Sequence, residues 1–509
     1  MANKIDSNVT GLSYAEESSM KTLPGTPIWY PLEPNSYSDF GGQISTVARN
    51  PINPSRQRKK GVTVDLDASG GFQQDLTQTN LMRLMQGFAF ASIREKATTT
   101  PMNANAVAIT SATASTDTYA AASGLGSFKL NDLILASGFS MAANNGLKVG
   151  VSSTSSTVVV GDGLADEASP PAGAALKVVG TQFASATVNV DVSGTWPRLV
   201  RASGTVDWTT LGLIPGEWVF IGGDSATLRF TNAGNNGFAR VRAVTAAYIE
   251  FDKTAGTMVT ETGTGKTVQM FFGNLVKNEA TSNLIVRRTY QLERQLGSDA
   301  NGVMSEYLVG ATPNEMTVNI AQADKITVDM SFVAVDVEQR TGLVGIKAGT
   351  RPALVESPAF NTSSDFSRIK MHLITSGQTN PTPLFAYLTD LTLTVNNNVT
   401  PNKAVATLGA FDVSAGQFQV SGDLTAYFSD VTAVQAVRNN SDVSLDFALV
   451  KNNAGYVFDI PLIALGDGRL NVEQDQPITL PLSMDAAAGS NNHTLLVNEF
   501  PYLPTLADS

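Results

Sequence analysis

The sequence predicts a mainly β protein with short helices, its strands layered into sandwich or barrel domains. Three observations carry that reading. Val62, Val64, Leu66 and Ala68 alternate with Thr63, Asp65, Asp67 and Ser69, which is the period of a sheet with one dry and one wet face. The same period recurs at Ile326–Ala334 and at Leu391–Asn396. Only 16% of residues are charged, while there are 43 glycines and many Ser, Thr, Asn and Val, a composition of strands and turns rather than helical bundles.

The totals exclude several function classes. A chain of 509 residues has the length of about three domains. It has no cysteine, so it has neither a disulfide framework nor thiolate chemistry, which suits assembly in a reducing cytoplasm. Its net charge of -11 disfavours tight binding to phosphate backbones. The opening residues lack a signal-peptide core, and no run approaches the length of a membrane span. Two histidines, His372 and His493, leave no multi-histidine metal site. His493, in the polar run GSNNHT, is expected at the surface.

Taken in order, residues 1–28 are polar and aperiodic and read as an N-terminal arm. A strand is expected around Tyr30–Phe40, a long polar loop from Gly41 to Lys60, and a strand from Val62. Leu81, Leu84, Met85 and Phe88 then fall at helical spacing, with Thr77 as the cap. From about residue 97 the chain becomes small, polar and weakly charged. Two blocks there each carry an apolar strand, Asn-Asn-Gly (Asn144–Gly146 and Asn235–Gly237) and further strands. Asn-Gly is a strong hairpin signal, so 105–272 reads as an inserted pair of small outer β-domains, duplicated over 125–200 and 205–270. Removing the insert is expected to leave the remainder able to assemble. Gly265-Lys266-Thr267 mimics the end of a phosphate loop, but Thr260 stands where the first glycine is needed and no helical pattern follows, so a turn is expected.

Strong strands return over 273–345, and a long Gly/Pro/Ser-rich connection follows at Glu338–Arg368. The last part, 346–509, repeats the logic of the first. Asp65-Leu66 followed by Phe72, Asp75 and a helix parallels Asp423-Leu424 followed by Phe428, Asp430 and a helix built on Val431, Val434 and Val437. The final NEFPYLPTLADS reads as a second arm, extended by its prolines.

Four stretches together resemble the tail tube proteins of long-tailed (siphovirus-like) bacteriophages. They are LEPNSYSDFG (Leu32–Gly41), PINPSRQRKKG (Pro51–Gly61), DLDASGGFQQDLT (Asp65–Thr77) and QGFAFA (Gln86–Ala91), with a weaker match from Glu306 onward. The resemblance implies a structural, non-enzymatic virion protein without cofactors. Its tube domains, 29–104 continued at 273–345, would donate strands to a β-barrel closed by several subunits. It implies stacked rings that conduct double-stranded DNA, built in the host cytoplasm. The rings would be trimers with pseudo-six-fold symmetry or hexamers, and would contact tape measure, tail terminator and distal tail proteins, with no membrane. Arg56, Arg58, Lys59 and Lys60 would lie on a loop between rings; as residues they also fit a solvated loop. Asp65, Asp67, Asp329 and Asp423 are the candidates for the lumen face, where an uncharged-to-acidic lining lets DNA slide.

Two other classes fit parts of the sequence. A capsid decoration or fibre protein would suit the duplicated insert. A carbohydrate-active β-protein would need paired carboxylates in an aromatic cleft, and the chain has four tryptophans, Trp29, Trp196, Trp208 and Trp218.

Overall fold

The computed structural model describes residues 10–508, apart from 53, 56, 162, 203–206, 300 and 301. The chain is mainly β and antiparallel, with two α-helices among the described residues: α1 (Met82–Phe88) and α2 (Thr432–Arg438).

Eight strands form one continuous wall. In chain order they are β1 (Pro34–Arg49), β2 (Lys59–Asp75), β3 (Gly302–Ala321), β4 (Thr327–Ala334), β5 (Leu388–Asn396), β6 (Gln419–Tyr427), β7 (Ala454–Asp467) and β8 (Thr479–Ala487). Across the wall the order is β1-β2-β4-β3-β5-β6-β8-β7. It is an open sheet. Strict alternation puts Phe72, Met316, Val318, Val328, Leu393 and Leu424 on its dry face, in one core with Leu84, Met85 and Phe88 of α1 and Ala433 and Ala436 of α2. β3 and β7 also run on, at their N-terminal ends, into a second layer of strands that covers this core.

The two ends of the wall are built alike. Gly11–Glu16, β1, β2, α1, Tyr290–Asp299, β3, β4 and Asp336–Arg340 follow in that order in the first half. Phe366–Leu373, β5, β6, α2, Val443–Lys451, β7, β8 and Leu496–Phe500 follow in the second. The same six pairings recur in both: first strand with Tyr290–Asp299 or Val443–Lys451, β1·β2 or β5·β6, β2·β4 or β6·β8, β3·β4 or β7·β8, β3 or β7 with the preceding strand, and β3 or β7 with the last. The halves meet edge to edge through β3 and β5, from Glu315↔Asn396 to Ala321↔Asp390.

The inserted region is one thirteen-stranded sheet. Strands from Ile109 to Gln182 and strands from Val188 to Phe271 run outward in mirrored order from a central pair, Ala175–Gln182 with Gln269–Phe271. Each unit starts earlier in the chain than the expected 125–200 and 205–270: Ile109–Thr113 precedes the apolar strand Asp132–Ser137, and Val188–Asp191 precedes the apolar strand Trp218–Ile221. Asn144 and Asn235 do not form a type I′ turn. Each ends a short 3-10 segment, the next Asn is extended, and only Gly146 (φ 96) and Gly237 (φ 106) are left-handed. The hairpins exist, with longer connections held by side chains. Gly265 lies in a turn that Lys266 closes, its N–H donating to Gly263 O, and no helix follows.

Several local expectations are corrected. The polar stretch Gly41–Lys60 is mostly strand, since β1 continues to Arg49 and β2 starts at Lys59. Both faces of that ribbon are exposed, so no apolar period marks Gly41–Arg49 in the sequence, and Val62 and Val64, expected on a dry face, are exposed as well; the dry face begins at Leu66. α1 starts at Met82 rather than from a Thr77 cap; Asn80 instead accepts from Thr77 N (3.1 Å) and donates to Asp75 O (2.7 Å), closing the preceding turn. Residues 10–28, expected as an arm, fold back on their own chain: Gly11–Glu16 pairs with Tyr290–Asp299, and buried Glu17 accepts from Thr289, Gln291 and Gly310 N. The C-terminal segment is likewise packed, Leu496–Phe500 as a strand and Leu503 and Ala507 in an apolar cluster.

Candidate assembly surfaces

The wet face of the wall is the first surface. Because side chains alternate with period two and the registers align, Asp65, Asp67, Gln73, Asp329, Thr317, Thr394 and Asp423 all point to one side. The four candidate lumen aspartates therefore share one face of one sheet, although three strands separate some of them. Asp329 accepts from Gln73 Nε2 (3.1 Å) and Asn319 Nδ2 (2.6 Å) on its two neighbouring strands. Thr317 and Thr394 hydroxyls meet at 3.0 Å, and Asn396 Nδ2 donates to Glu315 Oε2 at 2.8 Å. These last two contacts stitch the halves together. Asp423 is exposed and its backbone N–H donates to Thr392 Oγ1. Arg49, Lys59 and Lys60 are the only basic residues in the eight strands, and all three sit at the hairpin tip.

Asp65 and Asp67 do not stand free. Lys403, on the short hairpin Thr400–Lys403/Ala410–Ser414 of the second half, bridges both, with Nζ 2.5 Å from Asp65 Oδ2. The lysine hydrogen bond holds the Asp65 carboxyl below its usual range and raises the lysine. The sequence offers no sign of this contact, because the partners lie more than three hundred residues apart.

The second surface is the long β1–β2 hairpin. Its distal part projects from the wall with Ile44, Val47, Val62 and Val64 exposed, and Ile52 fully so. A two-stranded ribbon has little stability alone, so exposed apolar residues on it mark a contact. Arg58, Lys59 and Lys60 lie exposed at its tip; Arg56 lies outside the described residues. Third are the wall's edges. Among the described residues β1 pairs only with β2, and the C-terminal part of β7 only with β8. Exposed, unpaired edges invite strand addition.

One polar cluster is internal. Arg240, Asp252 and Lys253 of the insert meet Arg368, Asp446 and Asp459 of the second half. Lys253 Nζ lies 3.0 Å from both Asp446 and Asp459, and Arg240 Nη1 lies 2.9 Å from Asp459. Arg368 donates to Asp446. Burial opposes the charge on both aspartates, but the surrounding cations hold Asp446 and Asp459 far below the carboxylate range. His493 is not at the surface: it is fully buried, its Nε2 3.6 Å from Asp459, because the polar run around it folds over this junction. His372 is buried too, 3.2 Å from Ser444 Oγ. The cluster is a structural seam between insert and wall.

No curated protein sequence matches the chain. A family model described as phage tail tube protein matches residues 7–177 and 165–486. With most of the chain covered and strand layers of the expected kind in place, this protein belongs to the phage tail tube protein family.

Proposed function

We propose that three copies of this chain close into a ring of six similar halves, and that stacked rings form a hollow conduit for genome delivery. Family membership makes the chain a structural protein of the virion tail and not an enzyme. Among the described residues no helix is long and apolar enough to cross a membrane.

The observation that carries the trimer is the recurrence of six strand pairings in the two halves and their union through β3 and β5. That union is a template for the next one. β7 occupies in the second half the place of β3 in the first, and β1 the place of β5. The open edge of β7 would therefore receive β1 of a neighbouring copy, closing the edges that would otherwise aggregate. Cyclic closure with a heterologous contact is the form such an interface takes. The polar face carrying Asp65, Asp67, Asp329 and Asp423 would line the channel, where its carboxylates outnumber the one lysine that bridges two of them, Lys403, and so keep DNA from adhering. Residues 105–272 would stand outside, and 29–104, 273–345 and 346–509 would make the wall. The hairpin with Arg56, Arg58, Lys59 and Lys60 would reach the adjacent ring. A long siphovirus-like tail, with tape measure, terminator and distal tail proteins as further partners and assembly in the host cytoplasm, completes the reading by resemblance.

Native mass spectrometry of assembled rings tests it. Three chains per ring are expected; six chains per ring would overturn the trimer while leaving the tube.

A further inference from the structure

Where the insert meets the second half, a pocket of about 610 Å³ opens between them. Its floor is apolar, with Phe230, Phe238 and Leu506 among the lining residues. Phe238 and Leu506 belong to the apolar cluster that joins the insert to the second half. Its charge is of one sign. Arg229, Arg368 and Lys370 line it and no lining residue is acidic, in a chain whose net charge is -11.

Of the three cations, Arg368 alone has a counter-charge. Its Nε donates to Asp446 and its Nη1 to Thr254 O at 3.3 Å. Its Nη2 has no partner among the described residues, although the side chain is only 6% exposed. Lys370 Nζ donates to two neutral groups, Asn380 Oδ1 and Ala255 O. Burial is the main cause that lowers its pKa to about 8, with Arg368 adding to it and Asp446 opposing. Arg229 has neither a hydrogen bond nor an ion pair among the described residues. The repeat inside the insert shows that its loop does not need it. GFSMAANNG (138–146) aligns with RFTNAGNNG (229–237), and in each the second Asn accepts from the Phe N–H at 3.0 Å. Gly138 stands where Arg229 does, so the loop closes without a cation. The arginine stands in the copy whose loop borders Arg368 and Lys370.

We infer that this pocket binds a small organic dianion of the phosphate monoester kind. Its phosphoryl group would sit between Arg229 and Lys370, and its apolar body against Phe230, Phe238 and Leu506. A dianion matches the two cations that lack a counter-charge, and hydrogen bonds between ionised partners are the strong ones. Partial removal from water strengthens the attraction, and an apolar floor with a few convergent polar groups is the usual form of a small-molecule site. The two cations come from opposite sides of the junction, so a bound ligand would tie the insert to the second half.

Calorimetric titration of the full-length chain with phenyl phosphate, inorganic phosphate and phenol tests this. Phenyl phosphate is expected to bind, and each of the other two roughly tenfold more weakly or worse. Arg229→Gln breaks no hydrogen bond or ion pair of the folded chain and is expected to weaken phenyl phosphate roughly tenfold, as is Lys370→Gln. Circular dichroism verifies both folds. No binding of phenyl phosphate, equal affinity for inorganic phosphate or phenol, or undiminished binding by Arg229→Gln would overturn the inference, whatever the number of chains in a ring.

Discussion

Arg240 Nη1 donates to Asp459 at 2.9 Å, and the two residues belong to different parts of the molecule. Arg240 lies in the inserted sheet and Asp459 in the strand of the second half that continues into the wall. Both are buried, and Asp459 is also reached by Lys253. Removing one partner of a buried ion cluster leaves charge without compensation. Asp459→Asn is expected to lower unfolding free energy by about 3–5 kcal/mol in denaturant titrations.

The same contact revises what deletion of the insert should do. Cutting out about 105–270 strips Arg240 and Lys253 from Asp446 and Asp459 and exposes Leu496, Phe500 and Ala448, which pack against insert residues such as Phe238 and Trp218. The plain deletion is expected to be insoluble. A version that also replaces Arg368, Asp446 and Asp459 by apolar residues, and Phe500 by a polar one, is expected to recover soluble protein, measured as yield after expression.

His372 gives the second half a defined acid response. Burial is the main cause that lowers its pKa to about 3, and Lys253, Arg368 and Arg240 add to it while Asp446 opposes. The unfolded chain protonates this histidine near pH 6.5 and the folded one does not, so its stabilising contribution is complete above that pH and declines as pH falls. The loss is roughly 2 kcal/mol by pH 5. His372→Gln should lose less stability than the wild type between pH 7 and pH 5. Asp132, raised to about 6 mainly by burial, acts with the opposite sign over the same interval, so the comparison is between variants at each pH.

The two insert units use one device twice. Glu167 accepts from Ser140 N (2.9 Å), Met141 N and Asn144 Nδ2 (2.8 Å); Glu261 accepts from Thr231 N (2.6 Å), Asn232 N and Asn235 Nδ2 (2.8 Å). These bonds hold both carboxyls below their usual range. Glu167→Ala and Glu261→Ala should each lower the stability of the insert, because backbone donors lose their acceptor. Thermal unfolding of the two single variants checks it, and similar shifts are expected.

A cation placed on the wet face tests the channel. Asp423→Lys and Asp485→Lys, both on that face of adjacent strands, should leave ring yield unchanged. DNA should then be retained in the tubes at low salt and released as salt rises. Equal DNA retention in variant and wild-type tubes would remove this face from the lumen.

The sequence alone determined the mainly β class, the dry and wet faces of the strands around Asp65, Asp329 and Asp423, and the order strand, strand, helix that recurs before Phe88 and Arg438. These features are local: period two and period 3.6 are written in neighbouring residues. Tertiary structure decided that the three strands share one wall, that β3 meets β5, that Lys403 closes on Asp65, and that His493 is buried against Asp459. Those contacts join residues tens to hundreds of positions apart, and pairing between distant strands depends on register and layer order, which no short window of residues encodes. The distal hairpin was illegible for a related reason. With both faces wet in the single chain, Gly41–Arg49 lacks the alternation that burial imposes, while the alternation at Val62 and Val64 marks no face buried within the chain.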